Sequence, residues 1–157
     1  MCSSDLGRLG ERLRVNYQLS GPCDDLWLPE PAPRPQRLDE LWQSTCLECF
    51  LARPGEESYW EVNLAPSGHW NVYRLEGYRQ GLTPETACSR APRLERQDPW
   101  PAVAFQMDLM LPPALAEAPV LEVGVTAVIA TRGGAISYWA LQHPGEQADF
   151  QIGRAHV

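Results

Sequence analysis

The sequence has no apolar run long enough to cross a membrane as a helix, for which about 18 residues are the minimum. Its apolar runs are short, and 15 prolines and 12 glycines interrupt the chain. This pattern favours many short strands over long helices. A length of 157 residues is enough for one domain with a real core. We therefore expect a soluble single domain and, as a working prediction, a cytoplasmic location.

A basic surface is also missing. The 13 basic residues are scattered arginines with no lysine-rich stripe, against 20 acidic residues, and the formal net charge is −7. Nucleic-acid binding needs a basic footprint that matches the phosphates. The composition therefore argues against a nucleic-acid partner, and it says nothing about protein partners.

The two ends of the chain are related at the nucleotide level. Residues 1–6 can be back-translated as GTG TGC TCT TCC GAT CTG, and the reverse complement of that string encodes QIGRAH, which is residues 151–156. Protein physics does not produce such a match, and the string looks like a sequencing adapter read in frame from both directions. We expect residues 1–6 and 151–157 to be non-native and the domain to span residues 7–150.

Alternation of apolar and polar residues predicts strands over most of the chain. The strands are predicted at residues 12–20, 46–51, 59–64, 69–75, 103–110, 120–130 and 136–142, with weaker ones at 26–28 and 87–96. Turn residues at 53–56 and 65–68 make the central three strands an antiparallel meander. The proline-rich residues 29–35 predict an extended surface connection. This many strands with little helix predicts an all-β, antiparallel β-sandwich that is jelly-roll-like.

The cysteines and histidines do not predict a metal site. Cys46 and Cys49 are three residues apart on a predicted strand, so their side chains point to opposite faces and are expected to pack. His69 and His143 lie outside any metal-ligand spacing. Ser67 precedes a glycine in a turn and does not form the strand-to-helix elbow of a hydrolase. We predict neither a metal nor a catalytic residue.

Polar residues on the central meander form one candidate site. Glu48, Glu61 and Asn63 fall on one face if the two strands pair in register. Two carboxyl groups on adjacent strands suit the acid and base of glycoside hydrolysis, and carboxylates with amides also suit sugar binding. A solvated face paired with Arg74 or Arg79 is the third interpretation. We favour binding over catalysis.

Aromatic residues surround the same meander. Alternation places Trp60 in the core, whereas Trp70 at a turn exit and Trp42 before a strand are expected to be partly exposed. Planar rings beside carboxylates and amides suit a sugar, whose apolar face stacks on a ring. The predicted ligand-binding residues are Trp42, Glu48, Glu61, Asn63, Trp70, Asn71, Tyr78, Arg79, Trp139 and His143.

Several long motifs carry a family resemblance. They are ECFL at 48–51, YWEVNLAPSG at 59–68, WNVYR at 70–74, YRQG at 78–81, SYWALQHPG at 137–145 and ADF at 148–150. With these motifs the chain resembles the bacterial DOMON-like domain proteins, relatives of the family-nine carbohydrate-binding modules. The resemblance implies a jelly-roll-like sandwich of a class whose members bind sugars or haem. The family pattern continues beyond residue 150 into a closing strand, so we expect that strand to be missing and a sheet edge to be open.

The sequence thus predicts a noncatalytic module that binds a carbohydrate or a similar polar small molecule. Two alternatives stay open. One is a haem-binding electron-transfer domain with Met107 and His143 as axial ligands, although Met107 alternates with core positions. The other is a glycoside hydrolase that uses Glu48 and Glu61. No cofactor is expected unless the haem alternative holds.

Overall fold

The structure is a computed structural model that describes residues 2–99, 101–140 and 154–156. The strands are β1 (Cys2–Leu9), β2 (Arg12–Ser20), β3 (Cys46–Ala52), β4 (Tyr59–Leu64), β5 (Trp70–Leu75), β6 (Thr83–Pro84), β7 (Arg93–Gln97), β8 (Ala102–Met110), β9 (Glu122–Ala130), β10 (Ile136–Ala140) and β11 (Arg154–His156). Short helical turns lie at Cys23–Asp25, Leu41–Gln43 and α1 (Pro113–Ala116). Among the described residues no helix is long and apolar enough to span a membrane.

The strands form two antiparallel sheets, which confirms the predicted all-β sandwich. The small sheet has the order β1-β2-β8-β7. The large sheet has the order β10-β9-β3-β4-β5-β6, and β11 pairs with β9 beside β10. The predicted meander is β3-β4-β5, which lies in the middle of the large sheet. It is therefore held by neighbours on both sides.

The main core lies between the two sheets. Strand β2 alternates buried and exposed residues along its length, because one face meets the large sheet and the other meets solvent. The large sheet contributes Trp60, Val62 and Leu64 from β4, all at most 1% exposed. Met107 of the small sheet is fully buried here, as its alternation predicts.

The outer face of the large sheet carries a second apolar cluster. It consists of Phe50, Ala52, Tyr59, Tyr73 and Leu75, with Trp42 packed against them. Glu48 pairs with Asn63, and Phe50 pairs with Glu61. Partners in an antiparallel register share a face, so the predicted grouping of Glu48, Glu61 and Asn63 on one face is confirmed.

Most strand predictions are confirmed to within one or two residues at each end. There are two exceptions. At residues 26–28 a single bridge from Leu26 to Thr131 and one hydrogen bond from Trp27 N–H to Ala130 O (2.8 Å) replace a strand. The strand predicted at 87–96 begins only at Arg93. Proline-rich residues 29–35 form an ordered connection, in which Ala32 N–H donates to Ser67 O at 2.8 Å. Residues 141–142 lie outside the described residues.

The terminal segments take part in the sheets. Residues 2–6 form the first part of β1 and pair with β2. On β9, residues 126–130 pair with β10 and residues 122–124 pair with β11. The open edge that we expected is therefore partly occupied along β9. The non-native origin of residues 1–6 and 151–157 stays a prediction.

Candidate functional site

A cleft of about 360 Å³ opens on the outer face of the large sheet. We call it the outer cleft. Its lining combines aromatic rings, two carboxyl groups and one guanidinium, and consists of Trp42, Glu48, Phe50, Tyr59, Glu61, Tyr78, Arg79, Leu82, Val128 and Tyr138. It lies over the central meander that the sequence singled out.

Strands β3 and β4 supply the floor of the outer cleft. Glu48 and Phe50 are two residues apart on β3, and Tyr59 and Glu61 are two residues apart on β4. A spacing of two keeps side chains on one face of a strand. The sheet pairing then sets the two carboxyl groups beside two aromatic rings, and Phe50 and Tyr59 lie 6.2 Å apart between ring centroids.

Loops supply the walls. Trp42 comes from the helical turn Leu41–Gln43 and meets Tyr73 edge to face, with ring centroids 6.2 Å apart. Arg79 has a positive φ of 55°, and its backbone N–H donates to the Tyr59 hydroxyl at 3.4 Å. Its guanidinium lies 5.2 Å from the centroid of the Tyr78 ring. The loop after β5 is thereby tied to the floor of the cleft.

Glu48 is a buried acid. Its side chain is only 3% exposed, and its Oε2 accepts a hydrogen bond from Thr126 Oγ1 at 2.8 Å. Burial raises the pKa of Glu48 to about 7; the Thr126 hydrogen bond opposes this rise and the charge of Glu61 adds to it. Near neutral pH the carboxyl is therefore partly protonated.

Glu61 is a second desolvated acid. Burial raises its pKa, and a hydrogen bond from Asn63 Nδ2 to its Oε1 (2.9 Å) lowers it in part. The other amide atom, Asn63 Oδ1, is buried without a hydrogen-bond partner. The ion pairs of the described residues join other side chains, so neither Glu48 nor Glu61 is paired with a cation of that part of the chain. The predicted pairing with Arg74 or Arg79 is not formed.

Half of the predicted ligand-binding residues meet in the outer cleft. They are Trp42, Glu48, Glu61, Tyr78 and Arg79. Asn63 and Asn71 are buried within the outer layer of the same face, at 0% and 2% exposure. Asn71 Nδ2 donates to Asp39 Oδ1 at 3.0 Å and to the Tyr73 hydroxyl at 2.9 Å. Both amides support their neighbours instead of lining the cleft.

The expectation that Trp70 is partly exposed is wrong. Trp70 is 6% exposed and belongs to the main core, with the Arg37 guanidinium 4.4 Å from its ring centroid. It shares the inner face with Val72, because the two are two residues apart on β5. Trp139 also faces away from the outer cleft, since it pairs with the core residue Ala127. His143 lies outside the described residues.

Sequence reasoning missed half of the lining. Phe50 and Tyr59 follow from the alternation that places Glu48 and Glu61, so the pattern contained that signal. Tyr138 and Val128 are register partners at the β9–β10 edge, and their place depends on long-range pairing. Leu82 lies on a loop and has no sequence signal.

The structure also bears on the other candidate chemistries. Cys46 and Cys49 are both buried and free, on opposite faces of β3, and burial raises the pKa of each thiol well above its usual value. They pack as predicted. In the described part of the chain, no group of three His, Cys, Asp or Glu side chains is arranged to hold a metal ion.

Comparison with known proteins shows a similarity of fold. No protein-family model and no curated protein matches this chain. Its fold is similar to that of a Bacteroides uniformis protein to which carbohydrate binding is ascribed, with a TM-score of 0.62 and 9% sequence identity. The alignment covers 99% of this chain and 76% of that protein. At this identity the likeness extends to the fold alone.

Proposed function

We propose that this chain is a noncatalytic DOMON-like domain that binds a carbohydrate in the outer cleft. One observation carries the proposal: aromatic rings, carboxyl groups and a guanidinium line the same cleft. Tyr78 and Tyr138 are 47% and 50% exposed, so ring surface is available for stacking. The similar fold of a protein to which carbohydrate binding is ascribed supports the same class of ligand.

The chemistry of the cleft matches the two kinds of surface on a sugar. A pyranose presents apolar C–H faces, which pack on aromatic rings, and a rim of hydroxyl groups, which need acceptors and donors. Glu61 accepts hydrogen bonds from these hydroxyl groups, and Arg79 donates. The volume of about 360 Å³ is at the lower end of the range for small-ligand sites. A ligand of mono- or disaccharide size fits this description.

A groove on the small sheet is the competing location. It has a volume of about 310 Å³ and is lined largely by amides and carboxylates, including Asn16, Gln18 and Gln106. Its two aromatic residues, Tyr17 and Phe105, are each 1% exposed and belong to the core. They offer no ring face to a ligand. The outer cleft is therefore the better sugar site.

Binding is favoured over hydrolysis by the burial of Glu48. A glycosidase needs two carboxyl groups about 5–9.5 Å apart that both reach the scissile bond. Glu48 is only 3% exposed and is held by Thr126, its register partner on β9. Such an acid shapes the electrostatics of the floor but is not presented to a glycosidic bond.

A glycan array with the purified chain tests the proposal. We expect binding to at least one glycan, a loss of at least about tenfold in affinity for Tyr78→Ala, and a similar loss for Trp42→Ala. Trp27→Ala is the matched control, because Trp27 is 48% exposed and lies outside the cleft. Absence of binding to every glycan would refute the proposal. Hydrolysis of a chromogenic glycoside that is lost in Glu61→Gln would replace it with the enzyme alternative.

A further inference from the structure

The outer cleft has an excess of hydrogen-bond acceptors. Glu48 and Glu61 are both desolvated there, and Asn63 Oδ1 beside Glu61 is buried with no partner. The donors that serve this group are the hydroxyl of Thr126 and the Nδ2 of Asn63. Neither donor carries a charge. Taking carboxylates out of water without a cationic partner is costly, and among the described residues neither acid has such a partner.

Aromatic rings surround these acids. Trp42, Phe50, Tyr59, Tyr78 and Tyr138 all line the cleft. The face of an aromatic ring attracts a cation, and the attraction strengthens as the cation leaves water. Cages of aromatic rings are the arrangement that proteins use to hold quaternary ammonium groups. A hydroxyl group on a neutral sugar would use the acceptors but would not compensate their charge.

Arg79, the one cation that the described residues contribute to the lining, does not compensate these acids. Arg79 is exposed at the rim, its guanidinium lies over Tyr78, and it makes no ion pair with either acid. The floor and the rim therefore have opposite charges. A ligand with a cationic group would place that group on the floor, away from Arg79.

We infer that the outer cleft prefers a saccharide that carries a protonated amine, an amino sugar, over the same saccharide with a neutral substituent. The inference rests on the proposed function and specifies its ligand class. The ammonium group would lie against Glu61, with the buried Glu48 close by, and the sugar ring would stack on Tyr78 or Trp42. The positive charge of the ammonium group would compensate carboxylate charge that no cation of the described residues compensates.

Titration calorimetry on the full chain tests this inference with three probes near neutral pH and low salt. A glucosamine trimer and an N-acetylglucosamine trimer share backbone and length and differ in the charge at each amine. Tetramethylammonium is a cation without a sugar. We expect the glucosamine trimer to bind about tenfold more tightly than its acetylated counterpart, and the difference to shrink with added salt.

Variants of the two acids then show which carboxylate causes the preference for the glucosamine trimer. In Glu61→Gln, which keeps an acceptor for Asn63, the preference should fall to about twofold or less, and Glu48→Gln should act in the same direction. Glu30→Gln removes an exposed carboxylate outside the cleft and should leave the preference intact. A preference that survives in both cleft variants would contradict the inference, because the charge would then act from elsewhere.

The three probes separate failure of the inference from failure of the proposed function. Equal or tighter binding of the acetylated trimer overturns the amine preference while the carbohydrate function stands. Binding of tetramethylammonium alone, sensitive to Tyr78→Ala, keeps the cation site and overturns the preference for an amino sugar; a silent glycan array would then overturn the carbohydrate function as well. No binding of any probe overturns the inference, and the carbohydrate function stands or falls with the glycan array.

Discussion

At the scale of single residues, the burial of the Glu48 carboxyl group is the feature that most needs an explanation. A carboxyl group that is 3% exposed and has no cationic partner among the described residues opposes folding when it is ionised. The residues on either side of it on the same face of the strand, Cys46 and Phe50, are buried and apolar. A residue that serves only packing would be apolar here as well. We therefore explain the presence of an acid at this position by its role in the cleft that it lines.

This acid makes stability depend on pH. Burial holds the pKa of Glu48 at about 7 in the folded chain, against an ordinary value of 4.5. The folded state holds this proton up to a higher pH than the unfolded chain does. The contribution of Glu48 to the unfolding free energy is therefore full below about pH 4.5 and is lost as pH rises through about 7. The difference between the two pKa values corresponds to about 3 kcal/mol of unfolding free energy. Burial raises the pKa of Glu61 too, so that acid acts with the same sign.

We predict that urea unfolding of Glu48→Gln and of the unmodified chain diverges with pH. Between about pH 5 and about pH 8, the unmodified chain should lose up to about 3 kcal/mol more of its unfolding free energy than the variant. Glu30→Gln, with its exposed carboxylate, should follow the unmodified chain. Parallel pH profiles for Glu48→Gln and the unmodified chain would show that Glu48 is not held protonated.

Two aromatic residues close in sequence should respond in opposite ways to truncation. Trp70 is in the core, so Trp70→Ala should lower the unfolding free energy by about 3–5 kcal/mol. Tyr78 is 47% exposed, so Tyr78→Ala should change it by only about 0.5 kcal/mol while weakening ligand binding. Urea denaturation and glycan binding of both variants check this. A stable Trp70→Ala variant with reduced binding alone would mean that Trp70 faces the ligand.

At the scale of elements, the period of two explains what the sequence could and could not predict. It predicts the strands of the meander and the shared face of Glu48 and Glu61, because both depend on local alternation. The same period places Trp70 with Val72 in the core; our expectation failed because it relied on the nearby turn instead. Tyr138 joins the cleft through pairing between distant strands, which a single sequence does not display.

The turn between β4 and β5 offers a test at the level of one element. Gly68 has φ of +87°, and an added Cβ would lie 3.1 Å from the Cγ of Pro35. Gly68→Ala should therefore cost about 1–2 kcal/mol in unfolding free energy. Gly133→Ala, at a turn glycine without positive φ and with no contact closer than 3.8 Å, should cost far less. Equal losses in urea denaturation would contradict the role of the positive φ.

At the scale of the whole molecule, the two faces of the large sheet have different roles. Its inner face packs against the small sheet through residues such as Trp60 and Val62, and its outer face carries the cleft with Glu48 and Glu61. Rigid pairing on both sides of β3 and β4 holds the floor in place. A rigid floor lowers the entropic cost of ordering the site when a ligand binds.

Ligand binding should therefore stabilise the folded chain as a whole. At a ligand concentration about one hundred times the dissociation constant, the gain is about 2.7 kcal/mol. We expect thermal unfolding to shift upwards for the chain and for Trp27→Ala when the glycan with the strongest array signal is added. The shift should be absent in Tyr78→Ala. A shift of equal size in Tyr78→Ala would place the binding outside the outer cleft.

The most direct test of the outer cleft as the binding site is a titration followed by the indole N–H signals of the six tryptophans in an NMR spectrum. The titrant is the glycan with the strongest array signal. We predict a concentration-dependent shift of the Trp42 signal, with the exposed Trp27 and the core residues Trp60 and Trp70 essentially unchanged. A shift of Trp27 with a silent Trp42 would contradict it.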